Sequence, residues 1–178
     1  PLGSFFALKL GGLPAAPAPA SAPVGEYTRS ALMGEASPLA APAITLAAYL
    51  AGGGDPSSAV GELLFALRGA EAAGDVEAIL QLGEALQGLD EYRQSVRPAR
   101  ALLTSGVDDL RAWRLAYPPA WPGVVREAAA ENDLEPALIW AVMRQESAFS
   151  PVAVSRSNAQ GLMQVVPSSW DWIAELRR

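Results

Sequence analysis

One carboxylate in this chain stands out by its position. Residues 137–147 read Ala-Leu-Ile-Trp-Ala-Val-Met-Arg-Gln-Glu-Ser and follow Pro136, a residue suited to the first turn of a helix. Pro151 disfavours helical backbone in the residue before it, so this helix must stop near Ser150. Glu146 therefore falls in its last turn or two. Ile139, Val142, Met143 and Glu146 are spaced by three, one and three, and share one face. The carboxylate is expected to end an apolar stripe, where desolvation and the partial negative charge of the helix C-terminus both disfavour the ionised form. A carboxyl kept protonated near neutral pH is what a general acid requires. An arbitrary helical Glu, by contrast, pairs with Lys or Arg or sits on a solvated face; a second motif, described below, tips the balance.

Composition removes the competing chemistries. With no His and no Cys, the chain has no thiol nucleophile, no Ser-His triad, no disulfide and none of the usual transition-metal ligands. No metal and no cofactor is expected, and catalysis must rest on carboxylates, hydroxyls, amides or Lys. The formal charge of −6, from 13 Lys plus Arg against 19 Asp plus Glu, with no dense basic run, argues against nucleic acid as a partner. No run of eighteen apolar residues is present, so no transmembrane segment is expected, and no intact signal peptide is recognisable.

The second motif lies eighteen residues downstream. The segments Met143-Arg144-Gln145-Glu146-Ser147-Ala148-Phe149, Ala153-Val154-Ser155 and Gly161-Leu162-Met163-Gln164 closely resemble the first two catalytic motifs of the soluble lytic transglycosylases, relatives of goose-type lysozyme. The interval from Glu146 to Gln164 is similar to the family's as well. The resemblance covers residues from about 98 to 178, including the stretch from Arg97-Pro98 to Leu115, which looks like the linker helices leading into the family's catalytic domain. It stops at Arg178, ahead of the family's third motif, an Ala-x-Asn-Ile segment with later Gly and Tyr-Leu. Many members have Met two places after the motif Gln, where this chain has Val166, a change that could reshape one sugar subsite.

The resemblance implies an activity: cleavage of the peptidoglycan bond between N-acetylmuramic acid and N-acetylglucosamine. Glu146 would protonate the glycosidic oxygen, then accept the proton of the muramyl C6 hydroxyl as that hydroxyl attacks its own C1, leaving a 1,6-anhydro end. One carboxylate serves both steps because the nucleophile belongs to the substrate, unlike glycosidases that use two opposed carboxylates. No Asp or Glu occurs between Ser147 and Trp170, which fits that arrangement. Ser147 would support the motif helix, and Ser155 matches a family Ser that contacts the sugar or the catalytic carboxyl; the plainer readings are a helix-end hydroxyl and a turn Ser. Gly161 would allow close approach of backbone to glycan, or merely form a turn. Gln164 would bond to sugar hydroxyls and the acetamido group, or else brace the loop as a buried amide. Met163 belongs to the motif too, although a Met at such a place is more readily core than contact. The implied partner is the peptidoglycan glycan strand, and the implied location is the periplasm or cell envelope. The rival reading is a non-catalytic helical binding or scaffolding module.

The elements that must position these residues are helical. Leu and Ala dominate the apolar set, and Val-, Ile- and Thr-rich stretches are scarce, which predicts an all-α fold. Residues 1–4 resemble a purification-tag remnant and 5–36 a Pro/Ala-rich linker. Helices are predicted over 42–50, over 56–72 with Val60, Leu63, Leu64 and Leu67 in one stripe, from Val76 to Gly88, and from Tyr92 to Leu103. These stacked pairs suggest a helical superhelix over 37–116, without a sequence repeat. Tyr117-Pro118-Pro119 marks the expected boundary, and 117–178 is expected to be the N-terminal part of a lysozyme-like catalytic domain. It opens with a helix from Pro122 and carries four of the five Trp.

Overall fold

The computed structural model describes residues 36–176. The expected tag remnant at 1–4 and all but the last residue of the expected linker at 5–36 lie outside the described residues. Within them the chain is all-α, built from α1 (Ala41–Gly52), α2 (Pro56–Ala73), α3 (Val76–Gly88), α4 (Tyr92–Thr104), α5 (Leu110–Ala116), α6 (Pro122–Glu131), α7 (Pro136–Ser147) and α8 (Pro167–Leu176). Extended pairing among the described residues is limited to the isolated bridges Val154–Gln160 and Gln160–Val165.

Local chemistry accounts for the helix ends. Asp55, Asp75 and Asp109 each accept a backbone N–H of the first turn, from Ser58, Ala78 and Arg111 respectively, satisfying donors that the helix itself leaves open. Pro begins α2, α6 and α7, where its fixed φ suits the first turn and its missing N–H costs nothing. Gly74, at φ 66°, closes α2 in the left-handed conformation.

Successive helices from α1 to α5 pack on one another, and α3 also meets α5. They share a core of Ile44, Leu63, Leu67, Leu80, Leu82, Leu86, Leu102 and Leu115 with small Ala residues between them. A Cβ on Gly83 would come within 2.9 Å of Leu115 Cδ1, so the bare backbone at this point lets α5 lie close against α3. Buried polar groups are matched. The Ser95 hydroxyl donates to the Tyr92 carbonyl and accepts from Gln87 Nε2, and Gln81 Oε1 accepts the buried Ser37 N–H at 3.0 Å.

A second, smaller core forms beyond it from Val96, Ala120, Val125, Met143 and Phe149, with Tyr92, Trp121, Ile139, Trp140 and Leu162 at its margin. It draws on both sides of the Tyr117-Pro118-Pro119 connector, since Tyr92 and Val96 belong to α4. Tyr92 and Trp121 meet edge to face with ring centroids 4.9 Å apart, an arrangement that aromatic quadrupoles favour. The helix pair α6 and α7 is thereby seated on α4.

Two helices exceed the sequence expectation. The helix α5 had been foreseen only through the family resemblance of the stretch to Leu115, and α8 was not foreseen. The seven residues of α5 give too few turns for a periodic stripe to stand out.

Candidate active site

The site is built around the end of α7. The backbone leaves this helix through two consecutive left-handed residues, Ala148 at φ 49° and Phe149 at φ 63°. The Ala148 N–H donates to the Arg144 carbonyl at 3.1 Å and the Phe149 N–H to the Met143 carbonyl at 3.4 Å, which closes the carbonyls that a helix terminus leaves open. A left-handed non-glycine residue costs about 1 kcal/mol or more, and burial of the Phe149 ring, 2% exposed, offsets that strain.

Ser147 strengthens the same turn. Its hydroxyl donates to the Met143 carbonyl at 2.9 Å and accepts the Ser150 N–H at 3.2 Å. In this conformation Ser147 ties the helix to the following loop.

That loop, 150–166, folds on itself. The Ser155 N–H donates to the Ala159 carbonyl, and the Ser155 hydroxyl accepts the Ala159 N–H at 3.0 Å. The Gly161 N–H donates to the Ala153 carbonyl at 2.9 Å, while Gln160 and Val165 exchange both backbone hydrogen bonds. Gln164 sits across the turn: its Nε2 donates to the Gly161 carbonyl at 2.9 Å and to the Ala153 carbonyl at 3.2 Å. The amide oxygen keeps its accepting capacity. Gly161 takes φ 74°, and a Cβ there would be 3.7 Å from the Pro151 carbonyl oxygen, an ordinary contact. Glycine is thus demanded at this turn by backbone conformation rather than by space.

Two expectations need correction. Glu146 does not end a dry stripe. It is exposed, Ile139 and Val142 are only half-buried, and Met143 is the one buried residue of α7. The second core buries Met143 and, past the helix end, Phe149, so it continues beyond the carboxylate while Glu146 itself stays outside it. Among the described residues Glu146 has no hydrogen-bond or ion-pair partner. Met163, expected more readily in the core, is 41% exposed; its neighbour Leu162 packs against the second core in its place, because adjacent residues of a tight turn point to different sides.

Two further side chains hold α7 in place. Arg144 Nε donates to the Ala116 carbonyl at 3.1 Å, and its guanidinium lies 4.1 Å from the centroid of the Tyr117 ring. One turn earlier, Trp140 Nε1 donates to the Ala120 carbonyl at 2.8 Å. Burial pulls the Arg144 pKa down, with Tyr117 opposing the shift, yet a guanidinium stays protonated at any ordinary pH. The four-residue spacing of Trp140 and Arg144 was legible in the sequence, but their acceptors are main-chain carbonyls that carry no residue signature.

No group of three or more Asp and Glu among the described residues is placed to hold a metal ion. No described helix is long and apolar enough to cross a membrane.

With this geometry in view, residues 123–177 match the family model described as Transglycosylase SLT domain. Among curated relatives, the chain is similar to the membrane-bound lytic murein transglycosylase C of Yersinia pestis (strain Pestoides F) and to that of Yersinia pseudotuberculosis (serotype O:1b, strain IP 31758). Each is 58% identical over 43 residues, which amount to 24% of this chain and 12% of the relative. The similarity therefore spans about an eighth of the relatives' length.

Proposed function

We propose that the chain carries the catalytic-helix portion of a peptidoglycan lytic transglycosylase that cleaves the β-1,4 bond from N-acetylmuramic acid to N-acetylglucosamine and leaves a 1,6-anhydromuramyl end. The observation that carries this reading is the coincidence of the SLT match with an unpartnered, accessible Glu146 at the end of a bolted helix.

Glu146 acts first as the acid. Its carboxyl proton passes to the glycosidic oxygen as the bond from that oxygen to C1 of the muramyl residue breaks, and the N-acetylglucosamine end departs as an alcohol. The carboxylate then takes the proton of the muramyl C6 hydroxyl while that oxygen bonds to C1, which regenerates the acid and consumes no water. The exposure of Glu146 fits this sequence of events, because the glycan itself supplies the cover that excludes solvent once bound. In this reading Gly161, Met163 and Gln164 contact the glycan, through the Gln164 side-chain amide oxygen and the exposed Met163 side chain, and Ser155 shapes the loop. Ser147 holds the helix end.

In this proposal α1–α5 form the helical superhelical unit over 37–116, residues 117–178 begin the catalytic domain, and the protein works at the periplasmic face of the cell envelope on glycan strands. The test is digestion of purified peptidoglycan sacculi followed by mass spectrometry of the released muropeptides. Anhydro-ended products that disappear in Glu146→Gln are expected. Ordinary reducing ends would point to a hydrolase, and an absence of products with retained sacculus binding would point to a scaffolding module.

A further inference from the structure

We infer that Arg144 is a positioning residue that fixes the rotation of α7 about its axis and thereby the place of the Glu146 carboxyl; the inference rests on the transglycosylase reading and names a residue that this reading does not use.

The geometry is that of two bolts on one face. Trp140 and Arg144, four residues apart, both grip the 116–120 connector, through the Ala120 carbonyl at 2.8 Å and the Ala116 carbonyl at 3.1 Å. Residues at this spacing stand one above the other on a helix, so the two contacts together resist rolling. The Arg144 guanidinium also lies on the Tyr117 ring, an electrostatic contact with the ring face that a neutral side chain lacks. Arg144 has no carboxylate partner among the described residues, Glu146 included. A half-buried cation held by a carbonyl and a ring is a costly choice if a simple apolar contact would serve.

Roll of the helix is the coordinate that matters. A carboxyl about 5 to 6 Å from the helix axis moves about 1 Å for each 10° of rotation. A 1 Å misplacement of a reacting group costs on the order of a hundredfold in rate. The positive charge in the last turn of α7 also complements the negative end of the helix dipole.

The experiment compares wild-type protein with Arg144→Gln, Arg144→Lys and, as a control on an exposed face, Arg126→Gln, measuring anhydromuropeptide release per folded molecule together with amide hydrogen exchange. The expected result for Arg144→Gln is a fall in kcat of about ten- to a hundredfold with KM within about threefold. Ala148 and Phe149 amides should exchange faster, and Arg126→Gln should match wild type. Arg144→Lys, which keeps the charge over the ring but lacks the Nε donor, should recover part of the loss, and it carries the same kcat test if the Gln variant does not fold.

An unchanged kcat per folded molecule, a change confined to KM, or unaltered exchange at Ala148 and Phe149 would overturn the inference. If wild-type protein releases no anhydromuropeptides, the transglycosylase reading fails and the catalytic role of Arg144 falls with it. The exchange data then still decide whether Arg144 anchors the helix end.

Discussion

Glu77 on α3 and Arg111 on α5 meet in a two-pronged ion pair, both carboxylate oxygens accepting from the two terminal nitrogens of the guanidinium. The Arg111 guanidinium is the main cause that holds the Glu77 carboxyl below the usual carboxylate range. A depressed acid contributes stability that is present above its unfolded-state pKa and lost as pH falls through the folded one. The side chains are 36% and 43% exposed, which places the pair among surface ion pairs worth about 0.5 to 1 kcal/mol. Arg111→Gln should therefore lower stability by about that amount at pH 7. The difference from wild type should begin to shrink as the pH falls through about 4.3, the unfolded-state value, and close only below the depressed folded value, where Glu77 is neutral in both states. Urea unfolding at a series of pH values measures it; a constant difference down to pH 3 would contradict the assignment.

Glu84, two turns along the same face of α3 from Glu77, shifts in the opposite direction. It is half-buried on α3, and desolvation is the largest cause raising its pKa, with Arg111 opposing and Glu77 and Asp109 reinforcing. An acid raised on folding favours the native state below its unfolded-state pKa, and that benefit is lost as pH rises through the folded value. Glu84→Gln should raise the thermal midpoint at pH 7 by about 1 to 3 °C. The gain should vanish near pH 3, where the wild-type residue is protonated in both states. A gain of equal size at both pH values would show packing, not charge, to be responsible.

Gly161 supplies a third test, because conformation and space can be separated there. The 3.7 Å clearance to the Pro151 carbonyl leaves room for a methyl group, while φ 74° does not suit an L side chain. The order of tolerance should be Gly, then Asn, then Ala, then Val, with Gly161→Ala costing about 1 to 2 kcal/mol. Asn should cost less, since it visits left-handed backbone more readily. Thermal midpoints and anhydromuropeptide release should follow the same order. Equal tolerance of Asn and Val would refute a conformational cause.

Phe149 anchors the second core, and its removal should act locally. Phe149→Ala should cost about 3 to 5 kcal/mol, a large share of what so small a cluster can supply. Four of the five Trp lie beyond residue 117, and only Trp113 belongs to α5, so Trp fluorescence reports mainly on the C-terminal part and far-UV circular dichroism on the whole. The variant should lose Trp burial at a lower temperature than it loses the helical signal of α1–α5, an instance of sub-global unfolding. Coincident transitions at the wild-type temperature would rule this out.

The sequence alone determined the helices with strong punctuation. The predicted helices at 42–50, 56–72, Val76–Gly88, Tyr92–Leu103 and the two opening at Pro122 and Pro136 coincide with α1–α4, α6 and α7 to within a few residues, because Pro, Gly and Asp set their ends through local backbone chemistry. The motif residues from Met143 to Gln164 were legible in the same way, as types at fixed intervals. Tertiary structure decided where those residues face. The exposure of Glu146 depends on which side of α7 the second core takes, and the exposure of Met163 on which side of a turn points inward. The grip of Arg144 and Trp140 depends on the carbonyls of Ala116 and Ala120 lying opposite them. Each of these is a relation between segments distant in the chain, and main-chain acceptors are chemically alike at every residue, so no reading of residue types could have located them.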